Sequence, residues 1–246
     1  MKQYLTATLY APLASFGALA VGERRGAERY PTRSMLIGLL GAALGVDRAD
    51  ETAQASLAQG YYFAIQIFSV GRPFTDYHTA QMPGRDKKMR YATRREELAD
   101  KSALNTVLTS RDYRTDFLAG LAISAASQAP FSLEALLSAL SQPHYTLSFG
   151  RKSCVFGLPL APFVADYTGP REALHSLWLK RDETAPSAAV FQQLSAKPSE
   201  IIMDAALAPA DEPKTIEFVR DQPISRKRWQ FGLRDVAILS AERPSS

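Results

Sequence analysis

The stretch from Arg29 to Val46 (RYPTRSMLIGLLGAALGV) constrains the fold more than any other, because it joins a basic loop to a helix start and a glycine-spaced apolar helix. Pro31 pushes Tyr30 out of helical conformation, and Thr32 or Ser34 can cap the first turn by accepting a hydrogen bond from an unpaired backbone N–H. The spacing predicts a helix from about Ser34 to Leu44 with Gly45 as its C-cap. Gly38 and Gly41 cost helix propensity unless close packing requires them, and a sheet lying tightly on that face would meet the requirement. The free N–H groups of the helix start, together with Arg33, make one positive spot of the kind that holds phosphate. An ordinary capped helix with a solvent-facing arginine is the competing reading.

Around this helix the chain reads as alternating elements. Residues 2–10 place Tyr4, Thr6, Thr8 and Tyr10 on one face and Leu5, Ala7 and Leu9 on the other, as in a half-buried strand. A glycine-containing loop precedes the helix, and Tyr61–Val70, rich in β-branched and aromatic residues, reads as a second, central strand. Residues 71–110 lack a long apolar period and read as a protruding basic hairpin or loop. Arg114–Ser124 gives a third strand, Phe131–Leu140 a helix capped by Ser132, and a further strand is expected near Tyr145 or Val155. The order matches the split βαβ plan of an α+β, ferredoxin-like (RRM-like) domain. Beyond Gly169 we expect a short helix at Arg171–Lys180, an irregular segment over 182–215, and strands or a hairpin at Lys214–Val219 and Trp229–Leu239. The expected division is a first domain over 1–164 and a less regular, β-rich C-terminal extension over 165–246.

Composition narrows the class. With 246 residues, 46% hydrophobic and 22% charged, the chain has the makeup of a soluble globular protein of one large domain or one and a half ordinary ones. The net charge of +4 proves little by itself, but Arg72 to Arg95 carries seven basic residues against Asp76 and Asp86. Cys154 is the single cysteine, which excludes an intrachain disulfide and a cysteine-rich zinc site and suits a reducing compartment. The N-terminus alternates like a strand rather than a signal peptide, and the longest apolar run, Met35–Val46, is too short for a bilayer. A cytoplasmic protein without membrane attachment is expected.

Several constellations bear on chemistry. In Phe149–Cys154 (FGRKSC), a glycine followed by two cations and a serine can expose N–H groups beside charged side chains, as phosphate or sugar oxygens require. The spacing is not that of a P-loop, and a turn with solvated charges is the plain alternative. Asp76, Tyr77 and His78 stand at the root of the basic excursion, and Tyr91 lies among Arg90, Arg94 and Arg95. Aromatics interleaved with cations suit single-stranded nucleic acid, and a solvated charged loop fits equally. His78 and His144 can also be read as the acid and base of a ribonuclease, or as packed histidines. Cys154 with His144 makes a weak thiol pair, since a lone buried cysteine usually acts as a small hydrophobe. No metal or dinucleotide motif is present, so no cofactor is expected. Arg226–Trp229 (RKRW) fits RNA, an acidic protein partner or a solvated strand end.

Four segments in order, 29–46, 76–79, 110–114 and 144–154, resemble the CasD family, the subunit of the type I-E CRISPR Cascade complex that holds the 5′ handle of the guide RNA. The resemblance runs from the first strand to about Leu160 and weakens beyond, where the Trp229 region alone looks similar. It implies a ferredoxin-like RNA-binding domain whose thumb, residues 77–112 here, crosses the guide backbone and packs on the neighbouring backbone subunit. It also implies handle contacts from Arg25, Arg33, Ser34, Gly150, Arg151, Lys152 and Ser153, with Tyr77 and His78 at the thumb's base and Arg111 and Arg114 on its returning limb. The thumb interior, Met82–Asn105, departs from the family in sequence, so contacts by Lys87, Lys88 or Arg90 are not carried over. The expected role is a non-catalytic binder that grips one end of the guide, caps the backbone filament and bridges to the large subunit. The alternative is a metal-independent endoribonuclease acting on repeat RNA through Tyr77, His78 or His144. A related branch cuts RNA with a tyrosine and a Lys-His pair, and this chain has no adjacent Lys-His.

Overall fold

The computed structural model describes residues 1–17, 20, 22–84, 90–180 and 185–241. Its first strand, β1 (Lys2–Ala14), is covered on both faces where a half-buried strand was expected. Leu5, Ala7 and Leu9 enter one core, while Tyr4 enters a second on the opposite side. Thr6 is buried with them because its hydroxyl finds an acceptor, donating to the carbonyl of Phe163 at 3.3 Å.

After the two-residue strand β2 (Arg24–Arg25) comes α1 (Arg33–Leu44), capped by Thr32, whose side chain accepts from the N–H of Met35, and ended by Gly45 at φ 74°. A second helix, α2 (Glu51–Gly60), which the sequence reading missed, is capped by Asp50 and leads directly into β3 (Tyr61–Ser69). The glycines of α1 have a different explanation from the expected one. Gly41 faces Gln54 and Leu57 of α2, and Gly38 is exposed beneath the guanidinium of Arg226, so neither serves contact with the sheet.

The basic excursion is a hairpin. β4 (Arg72–Pro83) pairs with the distal half of β5 (Leu104–Ala125), from Arg72 opposite Thr115 to Pro83 opposite Leu104. A single helical turn, α3 (Arg94–Glu97), lies near its tip. The distal half of β5 is exposed or half-buried apart from Tyr113, whereas Phe117–Ile123 runs through the core. α4 (Leu133–Ser141) starts as expected at Ser132, which accepts from the N–H of Ala135.

The strand expected near Tyr145 or Val155 does not form. A single bridge joins Ser148 to Val155 around the Gly150 turn, and the next strand is β6 (Phe163–Tyr167). Pro159 and Pro162 remove ladder donors from the intervening stretch. The remaining elements are α5 (Pro170–Leu179), α6 (Ala185–Gln193), β7 (Glu200–Asp204), β8 (Thr215–Ser225) and β9 (Gln230–Ser240). The expectation of an irregular 182–215 is therefore corrected: β7 is a buried strand, with Ile201, Ile202 and Met203 all in the interior. Five residues are too few to show a period.

The main sheet runs β6-β1-β5-β3-β7-β9-β8. β5 is antiparallel to both β1 and β3, and β1 is antiparallel to both β5 and β6. Side chains of α1, α2 and α4 cover one face, through Ile37, Leu40, Leu57 and Leu136. Those of α5 and α6 cover the other, through Leu174 and Phe191. The result is a mixed α/β architecture on an antiparallel sheet. Among the described residues no helix is long and apolar enough to cross a membrane.

Candidate nucleic-acid interface

The start of α1 is an anion site, and the anion belongs to the protein. The backbone N–H of Arg33 donates to Oδ2 of Asp221 on β8 at 2.6 Å. The Arg33 side chain, only 7% exposed, turns inward to Asp204 at 2.5 Å and to the carbonyls of Ala58 and Tyr61 at 2.8 Å each. Arg234 completes the cluster, bonding Asp204 at 2.8 Å and Asp221 at 2.6 and 3.0 Å. Asp221 and Asp204 hold Arg234 firmly charged against its burial, raising its pKa above the ordinary arginine value. The expected role of Arg33 as a handle contact is thereby corrected: two guanidiniums and two carboxylates neutralise each other inside the fold, and a guanidinium taken from water into that pairing is not available to an outside phosphate.

Ser34, one residue on, does face outward. It lines a cleft of about 890 Å³ together with Arg25 and the Gly150–Arg151–Lys152 turn, so the two segments that the sequence suggested for an anion open onto the same space. The turn is held by local chemistry. Gly150 sits at φ +99°, and a Cβ there would meet the carbonyl oxygen of Ser15 at 1.8 Å, so only glycine fits. Beneath it Phe149 packs edge-on against Phe16 and Phe117. Arg151 is fixed by the carbonyls of Asp112 at 3.2 Å and Arg25 at 3.0 Å, and its guanidinium lies over the Tyr113 ring. Ser153 is exposed and lies outside the cleft lining. Cys154 is buried, and burial pushes its thiol pKa up, opposite to what a nucleophile needs.

The far wall comes from Arg48 and the β8–β9 turn, with Arg226, Trp229 and Phe231. Among the described residues six cations line the cleft, Arg25, Arg48, Arg151, Lys152, Arg220 and Arg226, against Asp47 and the already neutralised Asp221. Burial, and then the charge of Arg48, lower the pKa of Arg226.

The other expected site residues lie on the hairpin. Tyr77 is 62% exposed on β4, and on the opposite side of that strand His78 bonds Asp76 at 2.5 Å. Arg111 stands opposite Asp76 in register and beside Arg25 of β2. Arg114 is partly buried near the hairpin root and donates to the carbonyl of Glu28 at 3.4 Å. Asp112 braces this corner by accepting from Thr75 at 2.8 Å and Arg24 at 3.0 Å, and these bonds, that from Thr75 first, lower its pKa. His144 is placed elsewhere, against Gly45 at the C-terminal end of α1. The cleft lining includes none of Tyr77, His78 and His144. Lys87 and Lys88 fall outside the described residues. Among those described, no group of three or more His, Cys, Asp or Glu is arranged to hold a metal ion.

Comparison with known proteins identifies the lineage. The model of the CRISPR-associated protein family Cas5 matches residues 4–237. The chain belongs to the Cas5 family. Within it, the CRISPR system Cascade subunit CasD of Escherichia coli strain K12 is 29% identical over 174 residues, covering 71% of this chain and 76% of that protein. A chain of a CRISPR RNA-guided surveillance complex superposes with a TM-score of 0.63 at 22% identity, over 98% of this chain and 91% of that one. The crystal structure of a Cas protein gives a TM-score of 0.57 at 23% identity, covering 98% and 95%. At these identities the last two show a shared fold.

For this Cas5 protein the sequence reading missed Arg48, Asp204, Asp221, Arg220 and Arg234. Three of them carried a signal: Asp204 (IIMDAAL), Asp221 and Arg234 (GLRDVAIL) are charges inside or beside strand-like apolar runs. Such charges are buried only when paired.

Proposed function

We propose that this Cas5 protein is a subunit of a CRISPR Cascade complex that binds the 5′ handle of the guide RNA in the α1 cleft without cutting it. The observation that carries the reading is the meeting of Ser34, from the helix start, with Arg151 and Lys152, from a turn far along the chain, in one cleft lined by six cations. A polyanion gains by entering a groove of that sign, and fixed N–H groups beside it set the register of the strand. Arg25, Ser34, Gly150, Arg151 and Lys152 hold the handle in this reading, and Arg33 supports them from beneath.

The strand order β6-β1-β5-β3, with α1 and α4 on one face, supports a ferredoxin-like core that includes the whole of β6 and so runs to Tyr167, past the expected boundary at 164. The C-terminal extension beyond β6 adds β7–β9 to that sheet and, with Arg48, supplies the far wall of the cleft. The β4–β5 hairpin is the thumb: Tyr77, His78, Arg111 and Arg114 follow the guide backbone, while exposed Phe74, Met82, Val107 and Leu108 pack on the adjacent backbone subunit. The CasD relative is named a Cascade subunit, which supports membership of such a complex; in this reading the chain caps the backbone filament and bridges to the large subunit.

The test is co-purification of guide RNA with the assembled complex carrying Arg151→Ala and Lys152→Ala together. Reduced RNA content is expected, and unchanged content overturns the reading. Incubating the full chain with labelled repeat RNA and chelator addresses the enzyme alternative. Specific cleavage that disappears in His78→Ala would replace the binder with a nuclease.

A further inference from the structure

Trp229 occupies a backbone position that a bulky residue rarely takes. Its φ is +57°, in the left-handed region that glycine or asparagine fills with less strain, yet a tryptophan stands there with 57% of its surface exposed. The ring does not complete a core. It lines the α1 cleft, with Phe231 edge-on to it at 5.5 Å and the guanidinium of Arg48 over it at 4.8 Å from the ring centre. Beside the pair, Arg226 is held by Ser34, donating to its hydroxyl at 3.2 Å and its carbonyl at 2.7 Å. Between this wall and the Arg151 turn the floor is α1 itself, where Gly38 carries no side chain to fill the space.

A flat aromatic surface doubled by a planar cation, opening into a positively charged groove, matches the chemistry of an unpaired nucleobase whose phosphates lie along the cations. We infer that the Arg48–Trp229 pair is a stacking platform for one unpaired base of the bound RNA, placed across α1 from the phosphate-binding turn. The inference rests on the RNA reading above and deepens it, because it assigns a base-holding element to a wall that is otherwise only positive. Arg226 positions the platform: its bonds to Ser34 tie the β8–β9 turn to the first turn of α1, so the stacking surface and the helix start move as one body.

The experiment titrates the full chain with a single-stranded adenosine octaribonucleotide and with an abasic ribose-phosphate octamer of the same length, at one salt concentration. One stacked base should favour the adenosine strand by about tenfold. Trp229→Asn keeps a residue at ease in the left-handed region, so folding is preserved, and it should abolish the preference while leaving abasic affinity unchanged. Trp229→Phe should keep most of the preference. A preference that survives in Trp229→Asn, or is absent from the unsubstituted protein while both strands bind, overturns the platform and leaves the RNA reading standing. Failure of both strands to bind overturns the RNA reading and the platform with it.

Discussion

The carboxylate of Asp221 lies 2.6 Å from the backbone N–H of Arg33 and fills the positive end of α1 from within. A helix start that by local sequence invites an outside phosphate is thus already neutralised by a residue far along the chain. The same contact fastens the β8–β9 hairpin over α1 and builds the far wall of the cleft. The inner anion leaves Ser34 and the Gly150 turn as the outward-facing part of the site.

Removing that anion leaves two buried guanidiniums sharing the single carboxylate of Asp204, and the N–H of Arg33 without its acceptor. Asp221→Ala should lower stability by about 3 kcal/mol or more, the usual cost of breaking a buried ion pair from one side. Urea denaturation checks it, as a shift of the midpoint at constant slope. Arg33→Ala should do likewise, because it leaves Asp204 with one cation where it had two.

Arg151 and Lys152 are on the outside of the same site, so their loss should weaken RNA and spare the fold. If each contacts one phosphate, the double alanine variant should reduce the slope of log affinity against log salt by about 1.4, near 0.7 per contact on a single strand. Binding measured at several salt concentrations gives the slope, and an unchanged slope places both side chains off the RNA.

Gly150→Ala tests the turn itself. With φ at +99° and a backbone oxygen 1.8 Å from the would-be Cβ, the turn must move away from Ser15. The expected cost exceeds about 1 kcal/mol and comes with loss of RNA affinity, since Arg151 shifts too. Thermal unfolding and RNA titration of one sample report both.

Gly38 separates stability from function. A methyl group there would find its nearest neighbour, a nitrogen of Arg226, at 3.9 Å, so alanine fits. Gly38→Ala should stabilise the helix by up to about 1 kcal/mol, whereas Gly38→Leu should fill the cleft and reduce RNA affinity with the fold intact. Equal RNA binding by the two variants would show that the strand does not cross this part of α1.

Tyr30 sets an alkaline limit. Burial first, and then the charge of Glu217, push its hydroxyl from the ordinary 10.0 up to about 12. The unfolded chain releases this proton near pH 10 and the folded chain holds it longer, so the Tyr30 contribution is complete below pH 10 and is lost as pH rises toward about 12. In Tyr30→Phe the unfolding midpoint should fall less steeply across that window. Parallel profiles for the two proteins would assign the alkaline loss to other groups.

By itself the sequence determined the elements whose signals are local. Gly45 ends α1 and Thr32, one of its two candidate caps, starts it; Ser132 starts α4, and β1, β3 and the core half of β5 lie where alternation or β-branched and aromatic residues placed them. The charged excursion between β3 and the core half of β5 marked the hairpin. Tertiary structure alone decided the rest. β7 is too short to carry a period, and its burial depends on β3 and β9 on either side. The direction of Arg33 depended on Asp204 and the occupancy of its N–H on Asp221, both far away in sequence, and no window around Arg33 contains that information. The meeting of Ser34, Arg151 and Trp229 in one cleft is likewise a consequence of sheet order. A residue's type and its neighbours state what it can bind, but which partner reaches it first is settled when distant strands pair.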